Sequence, residues 1–192
     1  MIPLIAGIDL SLTGTGVILL REEKILQQKL IKSKPTKTPL EEVKRLRGII
    51  DDIPLALEGQ KVSLAVIEGL AFMARNTTAL VQLSGLSYLL RDELADYGIP
   101  FIIVAPTSLK KFAIGKGNAG KDEMMLAVFK KWGETLVNDN LSDAYALARV
   151  GEAFLLVNDQ EHWDSLIKPQ QEVIKLLLTQ SELNPGVIYG KT

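Results

Sequence analysis

Cysteine is absent from the 192 residues, and histidine occurs once. Without cysteine there are no disulfides, zinc-thiolate sites or thiol nucleophiles. The lone His162 has no acidic partner at ligand spacing, so it is assigned no catalytic role. Long apolar runs are missing too. The first hydrophobic stretch is interrupted by Asp9 and by Thr13-Gly14-Thr15-Gly16, and no basic segment precedes it as in a signal peptide. No membrane span is expected, and a cytoplasmic location is the default expectation. The sequence carries no internal repeat and no low-complexity tract.

Net charge is small as well, −1 with a pI near 5.9, which by itself argues against a nucleic-acid partner. Its distribution argues the other way. Between residues 105 and 131, Lys110, Lys111, Lys116, Lys121, Lys130 and Lys131 face only Asp122 and Glu123, and local fields rather than totals attract phosphates.

What is present suits one folded domain with an appendage, since 47% hydrophobic and 23% charged residues exclude disorder. Residues Leu4 to Leu10 and Gly16 to Leu20 read as paired strands around the Thr-Gly-Thr-Gly turn, with Lys24 to Ile31 as a third, more polar strand. A helix is predicted over Pro39 to Asp52 and a strand over Val62 to Glu68. Next come a helix over Thr77 to Tyr97 closed by Gly98, a strand over Pro100 to Val104, and a short helix over Pro106 to Phe112. A glycine-rich loop over Ile114 to Gly120 leads to helices over Lys121 to Trp132 and Leu141 to Val157. Trp132, spaced with Val128 and Phe129, is expected in the core. This order resembles a ribonuclease-H-like mixed five-stranded sheet flanked by helices, occupying 1–155. The 156–192 segment is expected as a C-terminal helical extension packed on the core.

Three acids stand out. Asp9 and Glu68 each close an apolar strand, and Asp143 falls in the first turn of a predicted helix. Burying an unpaired carboxylate costs several kcal/mol or raises its pKa, so an acid on such a strand needs a partner. Ile5, Gly7 and Asp9 share one strand face, as do Leu64, Val66 and Glu68. Adjacent strands lie about 4.8 Å apart, within reach of one ion. Oxygen ligands without cysteine or histidine suit Mg²⁺ or Mn²⁺, and a pair of such ions about 4 Å apart promotes phosphodiester hydrolysis. The plain alternative for each acid is a cap or a solvated strand end. Asn140, three residues before Asp143, is a candidate cap and ligand.

Four blocks together are similar to the RuvC-type Holliday-junction resolvases. They are Gly7-Ile8-Asp9-Leu10-Ser11-Leu12-Thr13-Gly14-Thr15-Gly16-Val17, Ile67-Glu68-Gly69-Leu70-Ala71-Phe72-Met73-Ala74-Arg75-Asn76, Lys110 through Lys121, and Leu141-Ser142-Asp143-Ala144-Tyr145-Ala146-Leu147-Ala148. The resemblance implies an Mg²⁺-dependent endonuclease, with Mn²⁺ able to substitute, that cuts four-way or branched DNA symmetrically as a homodimer. It implies metal binding by Asp9, Glu68 and Asp143, a catalytic or phosphate-contacting Lys121, a base-stacking Phe72, and Lys110 as a further loop lysine. Two positions depart from the pattern. Asn140 stands where the family has Asp or His, with Asp139 beside it, and Phe72 lies one residue further from Glu68. The Asn140 departure motivates an alternative, a non-cleaving junction- or branched-DNA-binding protein on the same fold.

Around these acids, Arg75, Lys111 and Lys116 are further candidates for nucleic-acid binding, the lysines because Gly115, Gly117 and Gly120 bring backbone amides to the same loop. Leu80, Leu83, Leu86, Leu90 and Leu94 form a helical stripe for packing on the sheet, widened by Val81 and Tyr88 toward a two-fold partner.

Overall fold

The computed structural model describes residues 2–70, 77–118 and 120–183. Its centre is a five-stranded sheet in the order β3-β2-β1-β6-β7. The strands β1 (Ile5–Asp9), β2 (Gly14–Arg21) and β3 (Lys24–Lys32) form an antiparallel meander, while β6 (Leu64–Glu68) and β7 (Phe101–Val104) continue it in parallel from β1. A two-stranded hairpin, β4 (Ala56–Leu57) with β5 (Gln60–Lys61), stands apart and is not apparent in the sequence.

Alternation along the strands sorts side chains into two cores. On one face Ala6, Ile8, Leu19 and Ile67 meet Leu46, Ile49 and Ile50 of α1 (Pro39–Asp51) and Leu86, Leu90 and Leu94 of α2 (Thr77–Asp96). On the other, Ile5, Ile18 and Val66 meet α3 (Pro106–Ile114), α4 (Lys121–Trp132), α5 (Asp139–Leu155) and α7 (Lys168–Leu183). Between α5 and α7 lies the short α6 (Gln160–Ser165), also unpredicted. Val173, Ile174 and Leu177 of α7 belong to the same core as α3 and α5, so the C-terminal helices share it.

Local signals explain most helix ends. Thr38 and Glu41 form a reciprocal capping box ahead of Pro39 in α1, and Gly115 and Gly133 close α3 and α4 at φ +95° and +75°. Helix α3 therefore runs two residues past the expected Phe112. Trp132 packs against the core one turn from buried Val128, whereas Phe129, about 100° around the helix from Val128, is 54% exposed.

The expected Thr-Gly-Thr-Gly turn is also corrected. Gly14 and Gly16 lie inside β2, and the chain reverses over residues 10–13, where Thr15 Oγ1 donates to the Ser11 carbonyl at 2.9 Å. These glycines are required because α5 crosses the sheet at backbone contact. A Cβ on Gly7 would lie 1.9 Å from the Ala144 carbonyl oxygen, and one on Gly16 would lie 2.3 Å from that of Asn140. Small residues at 144, 148 and 151, one helical row, complete the fit.

Gly7→Ala is expected to cost about 3 kcal/mol or more through backbone displacement. Gly48→Ala, in an exposed part of α1 with nothing within 4 Å of the new methyl, is expected to stabilise by roughly 0.5–1 kcal/mol. Urea unfolding of both variants checks the contrast.

Candidate metal centre

Asp9 ends the central strand and is 6% exposed. Ile8 pairs with Ile67 across β1 and β6, which sets Glu68 on the strand end beside Asp9. Helix α5 delivers the third acid. The predicted start of this helix is corrected: it begins at Asp139, with Asn138 as the cap accepting from the Leu141 amide at 2.9 Å. Asp143 thus sits in the second turn rather than the first, and Asn140 does not cap.

Both remaining candidates neighbour Asp143 on the helix surface. Asp139 and Asp143 are four residues apart in one row. Asn140 belongs to the row of Ala144, which rests on the sheet: its carbonyl oxygen lies over Gly16 and its carboxamide nitrogen 2.9 Å from where a Cβ on Gly14 would stand. Asn140 thus stands against β2 at i,i+3 spacing from Asp143, and Asp139 stands at i,i+4 spacing from it.

Electrostatics reports the same grouping. Burial, then the charges of Glu68 and Asp143, a hydrogen bond with Glu68, and the charge of Asp139 push the Asp9 carboxyl up from 3.8 to about 8. Four acids act on one another at this edge. Among the described residues no group of three or more histidine, aspartate or glutamate side chains is arranged to hold an ion as it stands. The donor chemistry nonetheless fits a hard divalent cation: such charge relieves the repulsion that keeps Asp9 protonated, and carboxylate oxygens are its preferred ligands.

The lysine loop is less open than its sequence suggests. Lys116 pairs with Glu123 at 2.7 Å, and Glu123 also accepts from the Gly120 amide at 2.7 Å. Lys110 lies close enough to help hold the Glu123 carboxyl below its usual range, after Lys116 and that amide. Lys111 pairs with Glu172 of α7 at 2.7 Å, a partner the sequence gave no reason to expect. Lys121 is the first residue of α4, and its side chain lies outside the description. Phe72 and Arg75 lie outside the described residues.

Known proteins are similar to most of this chain. The family profile described as "Crossover junction endodeoxyribonuclease RuvC" matches residues 5–150. A protein of that name from Synechococcus sp. is 32% identical over 154 residues, covering 77% of this chain and 96% of its own. Another from Prochlorococcus marinus is 29% identical over 155 residues, with the same coverage of 77% and 96%. Among solved structures, Thermus thermophilus RuvC superposes with a TM-score of 0.60 at 23% identity, covering 81% of this chain and 96% of that one. The T. thermophilus protein in complex with Holliday junction substrate also gives 0.60, at 21% identity and coverage of 76% and 90%.

The raised Asp9 carboxyl has a thermodynamic consequence. The folded, metal-free state binds this proton up to about pH 8, whereas the unfolded chain releases it near 3.8. The folded state holds more protons across that window, and stability from this group falls as pH rises through it. Asp9→Asn is expected to raise the metal-free melting temperature at pH 8 by at least about 2 °C and to leave it nearly unchanged at pH 4. Thermal denaturation in chelator at both pH values measures this.

Proposed function

The chain belongs to the RuvC family of crossover junction endodeoxyribonucleases and is a metal-dependent junction-resolving endonuclease; we propose that Asp9, Glu68 and Asp143 build its metal centre, with Asp139 as the fourth acid. The observation that carries this assignment is the buried Asp9 carboxyl, driven to about 8 by its own burial and by the three other acids. Mg²⁺ is the proposed ion, since carboxylates alone match its oxygen preference, and Mn²⁺ substitutes.

When bound, such an ion supplies positive charge to the phosphoryl oxygens and activates water for hydrolysis. The chain does the rest. Glu68 and Asp143 fix the site from the neighbouring strand and the crossing helix, and Asp9, once ionised, lends its charge from a setting that solvent scarcely reaches. Asn140 contributes no charge in this reading. Its side chain packs beside Gly14 of β2.

DNA contacts are proposed for Lys110, Lys111, Lys116 and Lys121 and, in the segment outside the described residues, for Phe72 and Arg75. Lys111 and Lys116 would exchange Glu172 and Glu123 for DNA phosphates, giving affinity that falls steeply with salt. A homodimer through α2 is proposed because Val81 and Tyr88 are 70% and 67% exposed while Leu86, Leu90 and Leu94 of the same helix are buried. Two-fold symmetry would present two centres to a four-way junction, one for each cut.

A synthetic four-way junction with Mg²⁺ tests the reading. Paired symmetric nicks are expected, lost in chelator and reduced roughly 100-fold or more by Asp9→Asn or Asp143→Asn. Calorimetric Mn²⁺ titration is expected to show affinity roughly 10-fold weaker in Asp139→Asn and little changed in Asn140→Ala. An uncut junction under every divalent condition would refute the assignment, and the reverse order of the last two variants would refute the role of Asp139.

A further inference from the structure

At the end of the sheet away from Asp9, where α6 and α7 meet the core, lies a cleft of about 430 Å³. Lys131, Trp132, Tyr145 and Arg149 line it from α4 and α5, and His162 and Gln170 from the C-terminal helices. None of these residues belongs to the acidic centre.

Arg149 is already committed. Its guanidinium bonds Glu23 at 2.7 Å and forms an ion pair with Glu152 at 3.0 Å, and Glu152 also accepts from the Glu23 amide at 2.9 Å. This brace holds the β2–β3 turn, where Glu22 and Glu23 sit at φ +48° and +64°. Arg149 is thereby shared between Glu23 and Glu152.

Lys131 is different. Its ammonium donates to the Phe112 carbonyl at 3.1 Å and stands 5.4 Å from the Trp132 ring centroid, and among the described residues no carboxylate pairs with it. Desolvation holds its pKa below the usual lysine value. His162 Nε2 is buried without a hydrogen-bond partner. Gln170, 6% exposed, spends its carboxamide oxygen on the Ile167 amide at 3.2 Å, which leaves its NH₂ group as a donor. The Lys131 ammonium keeps protons beyond the one given to Phe112, and His162 donates from Nε2 when that nitrogen carries a proton. A buried imidazole nitrogen without a partner, close to an ammonium that no carboxylate pairs, suits an anion.

The remaining wall is aromatic. Trp132 packs edge-on to Tyr145 at 5.6 Å and stacks with Phe112 at 6.4 Å between ring centroids. The space exceeds that of an inorganic ion, so an anionic head is expected to carry an apolar body. We propose that this cleft binds a small organic anion, its carboxylate or phosphate head held by Lys131, His162 and Gln170 and its aromatic or apolar body resting on Trp132.

Because His162 is the only histidine, its imidazole Hε1 proton gives an unambiguous NMR reporter. The full chain is titrated with benzoate, phenyl phosphate, inorganic phosphate and benzyl alcohol. Benzoate or phenyl phosphate is expected to shift the resonance saturably in the millimolar range or tighter, and whichever binds more strongly identifies the head group. Inorganic phosphate is expected to bind more weakly, and benzyl alcohol not to saturate. Lys131→Met is expected to weaken binding roughly 10-fold or more, with Lys131→Arg retaining most of it. Gln170→Met, which keeps side-chain bulk, provides a second test if the lysine variant does not fold. No saturable shift with either organic anion, equal binding of benzyl alcohol, or unchanged affinity in folded Lys131→Met would overturn the proposal.

Discussion

Helix α5 rests on the sheet with backbone against backbone, and the position of its two acids relative to Asp9 and Glu68 follows from that contact. Gly7 and Gly16 make room for the Ala144 and Asn140 carbonyls, and Gly151 admits Val66 and Ile5 at the far end of the helix. A Cβ at any of these positions would move the helix outward or shift its register. Asp139 and Asp143 would move with it. Packing and chemistry are thus one constraint: the close approach that fills the core also sets two acids of the helix beside Asp9 and Glu68.

The arrangement is costly to the metal-free protein. Like charges gathered around a buried carboxyl raise its pKa and remove stability near neutral pH, whereas a structural ion pair would do the reverse. Such local conflict is typical of sites kept for function rather than for folding. The surrounding structure absorbs it through two continuous cores on the faces of the sheet.

The strand acids were legible in sequence because a charge on an apolar, alternating strand has few interpretations. The glycines were not. Thr13-Gly14-Thr15-Gly16 carries a turn signal, but glycine serves both tight turns and close backbone approach, and only the position of α5 decides between them. The helix start was ambiguous for a similar reason, since Asn138, Asp139 and Asn140 are consecutive residues of types that cap helices well. The Lys111 pairing with Glu172 and the cleft around Lys131 join residues distant in sequence, for which local periodicity offers no signal.

Helix α7 also touches the function indirectly, by placing Glu172 on a lysine of the proposed DNA-facing loop. The central claim is narrower: the edge of β1, β6 and α5 holds a divalent cation through Asp9, Glu68 and Asp143, with Asp139 in reach and Asn140 turned to the sheet. Crystals soaked in Mn²⁺ test it most directly through anomalous scattering. The account predicts a peak about 2.1 Å from carboxylate oxygens of Asp9 and at least one of the other acids. An ion coordinated by the Asn140 carboxamide in place of Asp139, or bound only away from Asp9, would contradict it.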